Sequence, residues 1–173
     1  MTKRKDLFQL IGELSVSFSS LEHMLGYILC ELVAINEPFV GGLVTAEAPL
    51  HRKLRLIRKL ASYRLLNAPD LRKEVLDLVE ASEKLRPDRN LWVHGNWELS
   101  EEQLMANKVR CFDFRWEHRE HSGGGEFVGV REREFTIEQL NQLRSEVQRC
   151  AIHALRLVQT VRAAPLLQAK QPL

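Results

Sequence analysis

The sequence predicts a mainly α-helical protein, a four-to-five-helix up-and-down bundle with one β-hairpin inserted at about residues 109–135. Three observations carry that expectation. Apolar residues from Leu7 to Ile35 recur at alternating spacings of four and three, the period of a helix. Similar stripes return in three later segments. Only the stretch from Val109 to Phe135 changes character, with β-branched and aromatic residues on either side of Gly123-Gly124-Gly125.

The first helix is expected over about residues 5–36, with Leu7, Ile11, Leu14, Phe18, Leu21, Leu25, Ile28, Leu32 and Ile35 as its seam. At 1.5 Å per residue it would be roughly 45 Å long, a length that calls for partner helices or a second copy of itself. Asn36, Pro38, Gly41 and Gly42 end it. A second helix over about 46–66 has the stripe Leu50, Leu54, Ile57, Ala61 and Leu65. Asn67-Ala68-Pro69-Asp70 breaks the chain, with Asp70 suited to cap the next helix. The third stripe reads Leu71, Val75, Leu78, Ser82 and Leu85, and then turns polar where Arg89 takes an interior position. Pro87 removes a backbone donor and predicts a kink or restart, and Gly95 suits the C-terminus. After the hairpin, Thr136 and Gln139 form a capping box. Leu140, Leu143, Val147, Ala151, Ala154, Val158 and Val161 continue that last helix to about residue 163. A polar tail of about residues 165–173 closes what reads as one domain over 1–173.

Composition sets limits on function. The chain has 173 residues, 25 Lys plus Arg and 23 Asp plus Glu, so its net charge is only +2 and total charge implies no polyanionic partner. The distribution is less even. Residues 50–66 include Arg52, Lys53, Arg55 and Arg58 with no acidic residue, a candidate RNA-facing surface. Three widely spaced cysteines, Cys30, Cys111 and Cys150, predict reduced thiols rather than disulfides. Cys150 lies one helical turn from His153, but two ligands do not make a metal site. His118 and His121 read as polar residues of the hairpin arm, and Trp97 and Trp116 as packing aromatics. No apolar run approaches the roughly 20 residues of a membrane span. The basic start Thr2-Lys3-Arg4-Lys5 is followed by Glu13 within the apolar stretch, against a signal peptide. The expectation is a cytoplasmic protein without membrane association. No Gly-rich phosphate loop, nucleophile elbow or paired-carboxylate motif is present, and no cofactor or metal is indicated.

The informative segment is Arg89-Asn90-Leu91-Trp92-Val93-His94-Gly95. It ends a helix in a helical chain, follows a long first helix containing Phe18, Leu21-Glu22 and Leu25, and leads into Asn96-Trp97. This layout resembles the HEPN superfamily of helical nucleotide-binding domains, whose mark is an Arg and a His four to six residues apart, often with Asn after the Arg. The resemblance covers most of the chain in layout and about seven residues in motif. It implies a metal-independent endoribonuclease of toxin or antiphage-defence type, built as a homodimer and opposed by an antitoxin protein. It makes Arg89 and His94 the working pair. His94 would move the 2′-hydroxyl or leaving-group proton, and Arg89 would hold the scissile phosphate. The alternatives are a module that binds a nucleotide or RNA without cutting it, or a structural dimer acting through a protein partner.

Geometry restricts the pair. Five residues turn a regular helix by about 500°, which leaves the two side chains roughly 140° apart. They would meet through the long Arg89 stem, a distorted helix, or a two-fold axis that brings both copies into one cleft. Asn90, four residues before His94, shares its face and would orient the imidazole. Glu22 would hold Arg89 or His94 from behind. Some members carry a Tyr two residues after the motif His as a modification target. Asn96 stands there in this chain, so that mode of neutralisation is not implied.

Overall fold

Long amphipathic stripes become long helices. The structure is a computed structural model describing residues 2–33, 45, 48–98, 100–118 and 125–164. Among the described residues there are five helices and three strands: α1 (Thr2–Val33), α2 (Leu50–Arg64), α3 (Pro69–His94), β1 (Asn96–Glu98), α4 (Glu101–Met105), β2 (Lys108–His118), β3 (Gly125–Thr136) and α5 (Ile137–Ala163). The mainly helical class and the inserted hairpin are as expected. The expected breaker at 36–42, the hairpin tip at 123–124 and the tail at 165–173 lie outside the described residues.

The chain divides into two compact units. One comprises Met1–Val16 with Pro87–Ser145, the other Ser17–Arg86 with Glu146–Leu173. The divisions fall inside α1, α3 and α5.

The second unit is helical. Phe18, Leu21, Leu25, Ile28 and Leu32 of α1 are buried, as are Leu54, Ile57 and Ala61 of α2, Val75, Leu78 and Ser82 of α3, and Val147, Ala154, Val158 and Val161 of α5. These are the positions that the periodicity assigns to the interior. Two contacts along α2 fix its direction relative to α1. Lys53 meets Glu22 near the start of α2, and Arg64 at its end donates to the carbonyl oxygens of Leu32 and Val33 at 3.0 and 3.2 Å. The two helices therefore run in the same direction. Arg162 of α5 joins Glu31 of α1 at 2.7 Å.

The first unit holds the sheet, with strand order β1-β2-β3 and both pairings antiparallel. Three strands replace the two expected. β1 is only three residues long and has no alternation to betray it. β2 follows the short α4 through Asn107, which adopts a left-handed φ of 59° and donates from its side chain to both Glu138 oxygens at 2.9 Å. Val109, Cys111 and Phe135 turn to the buried face of the sheet. On the opposite face Arg110 reaches Glu98 at 3.4 Å and Glu132 at 2.8 Å, and Lys108 reaches Glu134 at 2.7 Å. The register shifts between Arg115 and Trp116, opposite Gly129, whose φ of 144° is open to glycine but strained for a side chain.

Two helix boundaries have clear causes. Thr136 donates its N–H to Gln139 Oε1 at 2.8 Å, and Gln139 returns its N–H to Thr136 Oγ1 at 3.2 Å, the capping box read from the sequence. At α3 the expectation shifts by one turn position. Pro69 is the first helical residue and Asp70 lies in the first turn, so Asp70 complements the helix dipole instead of capping it. No helix among the described residues is long and apolar enough to cross a membrane.

Candidate functional site

The motif helix is continuous. α3 passes through Pro87 without restarting and includes Arg89 through His94 as its last turn and a half. Beyond Pro87 the Leu91 side chain is buried, only 1% exposed. Arg89, assigned to the interior by the extrapolated stripe, is half-buried. The uninterrupted helix leaves the Arg89 and His94 positions about 500° of turn apart, on different faces of one chain. Asn90 and His94 keep their four-residue spacing.

Sequence reasoning missed what fixes the end of this helix. The Leu91 carbonyl oxygen accepts the Gly95 N–H at 2.8 Å and the Cys111 thiol at 3.2 Å. Cys111 is fully buried in β2 and pairs in register with Trp97 of β1. One backbone oxygen thus ties the last helical turn to the middle strand. Gly95 is required by close approach, not by a positive φ. A Cβ there would overlap the Leu91 carbonyl and stand 2.6 Å from Cys111 Sγ. Gly95 is visible in the sequence as a helix stop, but no spacing rule links it to Cys111.

Glu22, the residue expected behind Arg89 or His94, meets Lys53, expected to face RNA. Lys53 Nζ lies 3.6 Å from Glu22 Oε1, with side-chain exposures of 7% and 21%. Lys53 is therefore corrected from an RNA-facing residue to a core one. Its Cβ falls on the same side of α2 as Leu50 and Leu54, and burying an ammonium there demands a carboxylate. Arg52, Arg55 and Arg58 are exposed, together with Lys59 and Tyr63.

Each unit has a cavity lined by described residues. One of about 350 Å³ in the first unit is lined by Asp6, Gln9, Glu13, Asn107, Asn141 and Arg144. Glu13 accepts from Gln9 at 2.9 Å and from Arg144 at 2.6 Å, and these bonds, Gln9 first, hold its carboxyl below the usual range. One of about 480 Å³ in the second unit is lined by Leu78, Leu85, Cys150, Arg149 and His153. Burial pushes the Cys150 thiol up, which keeps it protonated and a poor metal ligand or nucleophile. No group of three His, Cys, Asp or Glu side chains able to hold a metal ion occurs among the described residues.

No protein-family model, characterised protein or solved structure matches the chain.

Proposed function

We propose that the protein is a HEPN-like, metal-independent endoribonuclease of the cytoplasm, acting as a homodimer with Arg89 and His94 as its working pair. The observation that carries this reading is the Arg89–His94 run in the last turns of a long helix whose end is held to a sheet by the Leu91 carbonyl. A reactive pair needs such a rigid support. His94 takes the proton of the ribose 2′-hydroxyl as its oxygen attacks the adjacent phosphorus. The bond from phosphorus to the 5′-oxygen breaks, and that oxygen takes up the proton that His94 removed, which returns the imidazole to its neutral form. Arg89 offers its fork of donors to the phosphate oxygens as charge builds on them. The products carry a 2′,3′-cyclic phosphate and a 5′-hydroxyl. Because the two positions lie on different faces of one α-helix, the second copy supplies the complement of each pair. An antitoxin protein and a defence role follow from the same resemblance.

The test is incubation of purified protein with structured and unstructured RNA in EDTA, beside His94→Ala and Arg89→Ala. A general acid–base group typically contributes 10²–10⁴-fold, so His94→Ala should lose cleavage by about that factor. Cleavage that survives both substitutions overturns the assignment. A second reading is favoured by the exposed cations of α2: a module that retains RNA without cutting it. Retention by the wild type with no cyclic-phosphate product would select that reading.

A further inference from the structure

The exposed side of α2 has an organisation that a count of basic residues does not convey. α2 buries Leu50, Lys53, Leu54, Ile57 and Ala61 on one side. Arg52, Arg55, Lys59 and Tyr63 are exposed on the other and succeed one another at spacings of three, four and four. On an α-helix these positions fall within about 80° of arc and advance about 4.5–6 Å at each step. Tyr63 is 55% exposed, an aromatic ring standing at the end of a row of cations. The helix contains no acidic residue. Arg58 is exposed too but lies within electrostatic reach of Glu80 on α3, which partly answers its charge. Lys53, the helix's other cation in this region, is turned inward onto Glu22.

We infer that this face of α2 is a track for single-stranded RNA, with Arg52, Arg55 and Lys59 on successive phosphates and Tyr63 stacked on a base. The inference rests on the reading of the protein as RNA-directed and goes beyond the Arg89/His94 pair. A row of cations beside an exposed aromatic ring is the combination by which proteins hold single strands: charge follows the backbone and the ring accepts any base. Duplex RNA hides its base faces and offers nothing for Tyr63 to stack on. A membrane surface fits less well. An interfacial helix must put its apolar side into lipid, and the apolar side of α2 is already buried in its unit.

Binding is measured on full-length His94→Ala protein, so that cleavage does not enter, with a labelled oligouridine of about twelve nucleotides, the corresponding RNA duplex, and vesicles rich in phosphatidylserine. The expected result is preference for the single strand. Each of Arg52→Gln, Arg55→Gln and Lys59→Gln should lower the slope of log affinity against log salt by about 0.7. Tyr63→Ala should weaken binding roughly fivefold or more, and Tyr63→Trp should keep it. These positions are exposed, and unchanged melting of each variant would show that folding is not what was lost. Equal binding of duplex, unaltered affinity in the α2 variants, or binding to vesicles in place of RNA would each overturn the track. None of those results touches cleavage by the wild type. Conversely, α2-dependent binding without any cleavage would leave the track standing and remove the nuclease.

Discussion

Gly95 shows how much can depend on a missing methyl group. The backbone there passes so close to Leu91 and Cys111 that a Cβ has no room. Gly95→Ala must push the helix end away from β2 or break the thiol bond. Such overpacking costs about 1–3 kcal/mol. The melting temperature should fall by roughly 2–12 °C, since each kcal/mol moves a chain of this size by about 2–4 °C. An unchanged melt would mean that the contact between α3 and β2 is slack. The Lys53–Glu22 pair offers a second test. Lys53→Ala leaves a carboxylate that is largely buried, and partial exposure of Glu22 keeps the expected loss at about 2–3 kcal/mol. Adding Glu22→Gln to Lys53→Ala should recover part of it, because a neutral amide costs less than a carboxylate to leave without the ammonium. Urea unfolding of the single and double variants measures the coupling. The pair also explains a limit of sequence reading. Lys53 sits among basic neighbours, and nothing local says that it alone turns inward. Only its place on the Leu50–Leu54–Ile57 side of the helix hints at it.

Helices were legible where their periodicity was long. The buried positions of α1, α2, α3 and α5 follow the stripes almost residue by residue, because a continuous apolar face admits one orientation. The capping box of α5 was legible for a more local reason: its two hydrogen bonds need only Thr136 and Gln139 three residues apart. Thr136→Ala should cost about 1 kcal/mol by chemical denaturation, and Thr136→Ser should restore it. What escaped was set by tertiary contact. Pro87 forbids one hydrogen bond, yet α3 runs on beyond it, so local cost was overridden by packing. β1 exists because β2 offers it an edge, and three residues carry no period of their own. The candidate pair was legible as a motif, while the device that holds its helix end, Leu91 with Gly95 and Cys111, joins residues too far apart in sequence to be read together.

Across the whole molecule, the acid response follows from several hydrogen-bonded carboxylates. Gln9 and Arg144 hold Glu13 below its ordinary value, Lys84 does so for Glu80, and Lys108 for Glu134. For Glu138 the cause is first its own backbone N–H, then Asn107 and Thr136. All four are depressed in the folded chain, so the unfolded chain binds more protons in acid. The stability they contribute is complete above the ordinary carboxylate range near about 4.3 and is lost as pH falls through the lower folded values. Melting recorded from pH 6 to pH 3 should therefore decline below about pH 5, and Glu13→Gln should decline less steeply. Salt should flatten both profiles, since these pairs are open to solvent. A Glu13→Gln profile parallel to the wild type would remove Glu13 from this set.

The charged ladder on the sheet has one more consequence. In the order β1-β2-β3 the twelve-residue β3 has no strand beyond it among the described residues, and an edge of that length invites pairing with another chain. Glu132, Arg133 and Glu134 stand in a row along that edge, all exposed, and the irregularity at Gly129 breaks its line. A stray strand that approached would meet both signs of charge and a kink before it met a free hydrogen-bonding group. The same side chains that brace the hairpin from within keep it from seeding an aggregate.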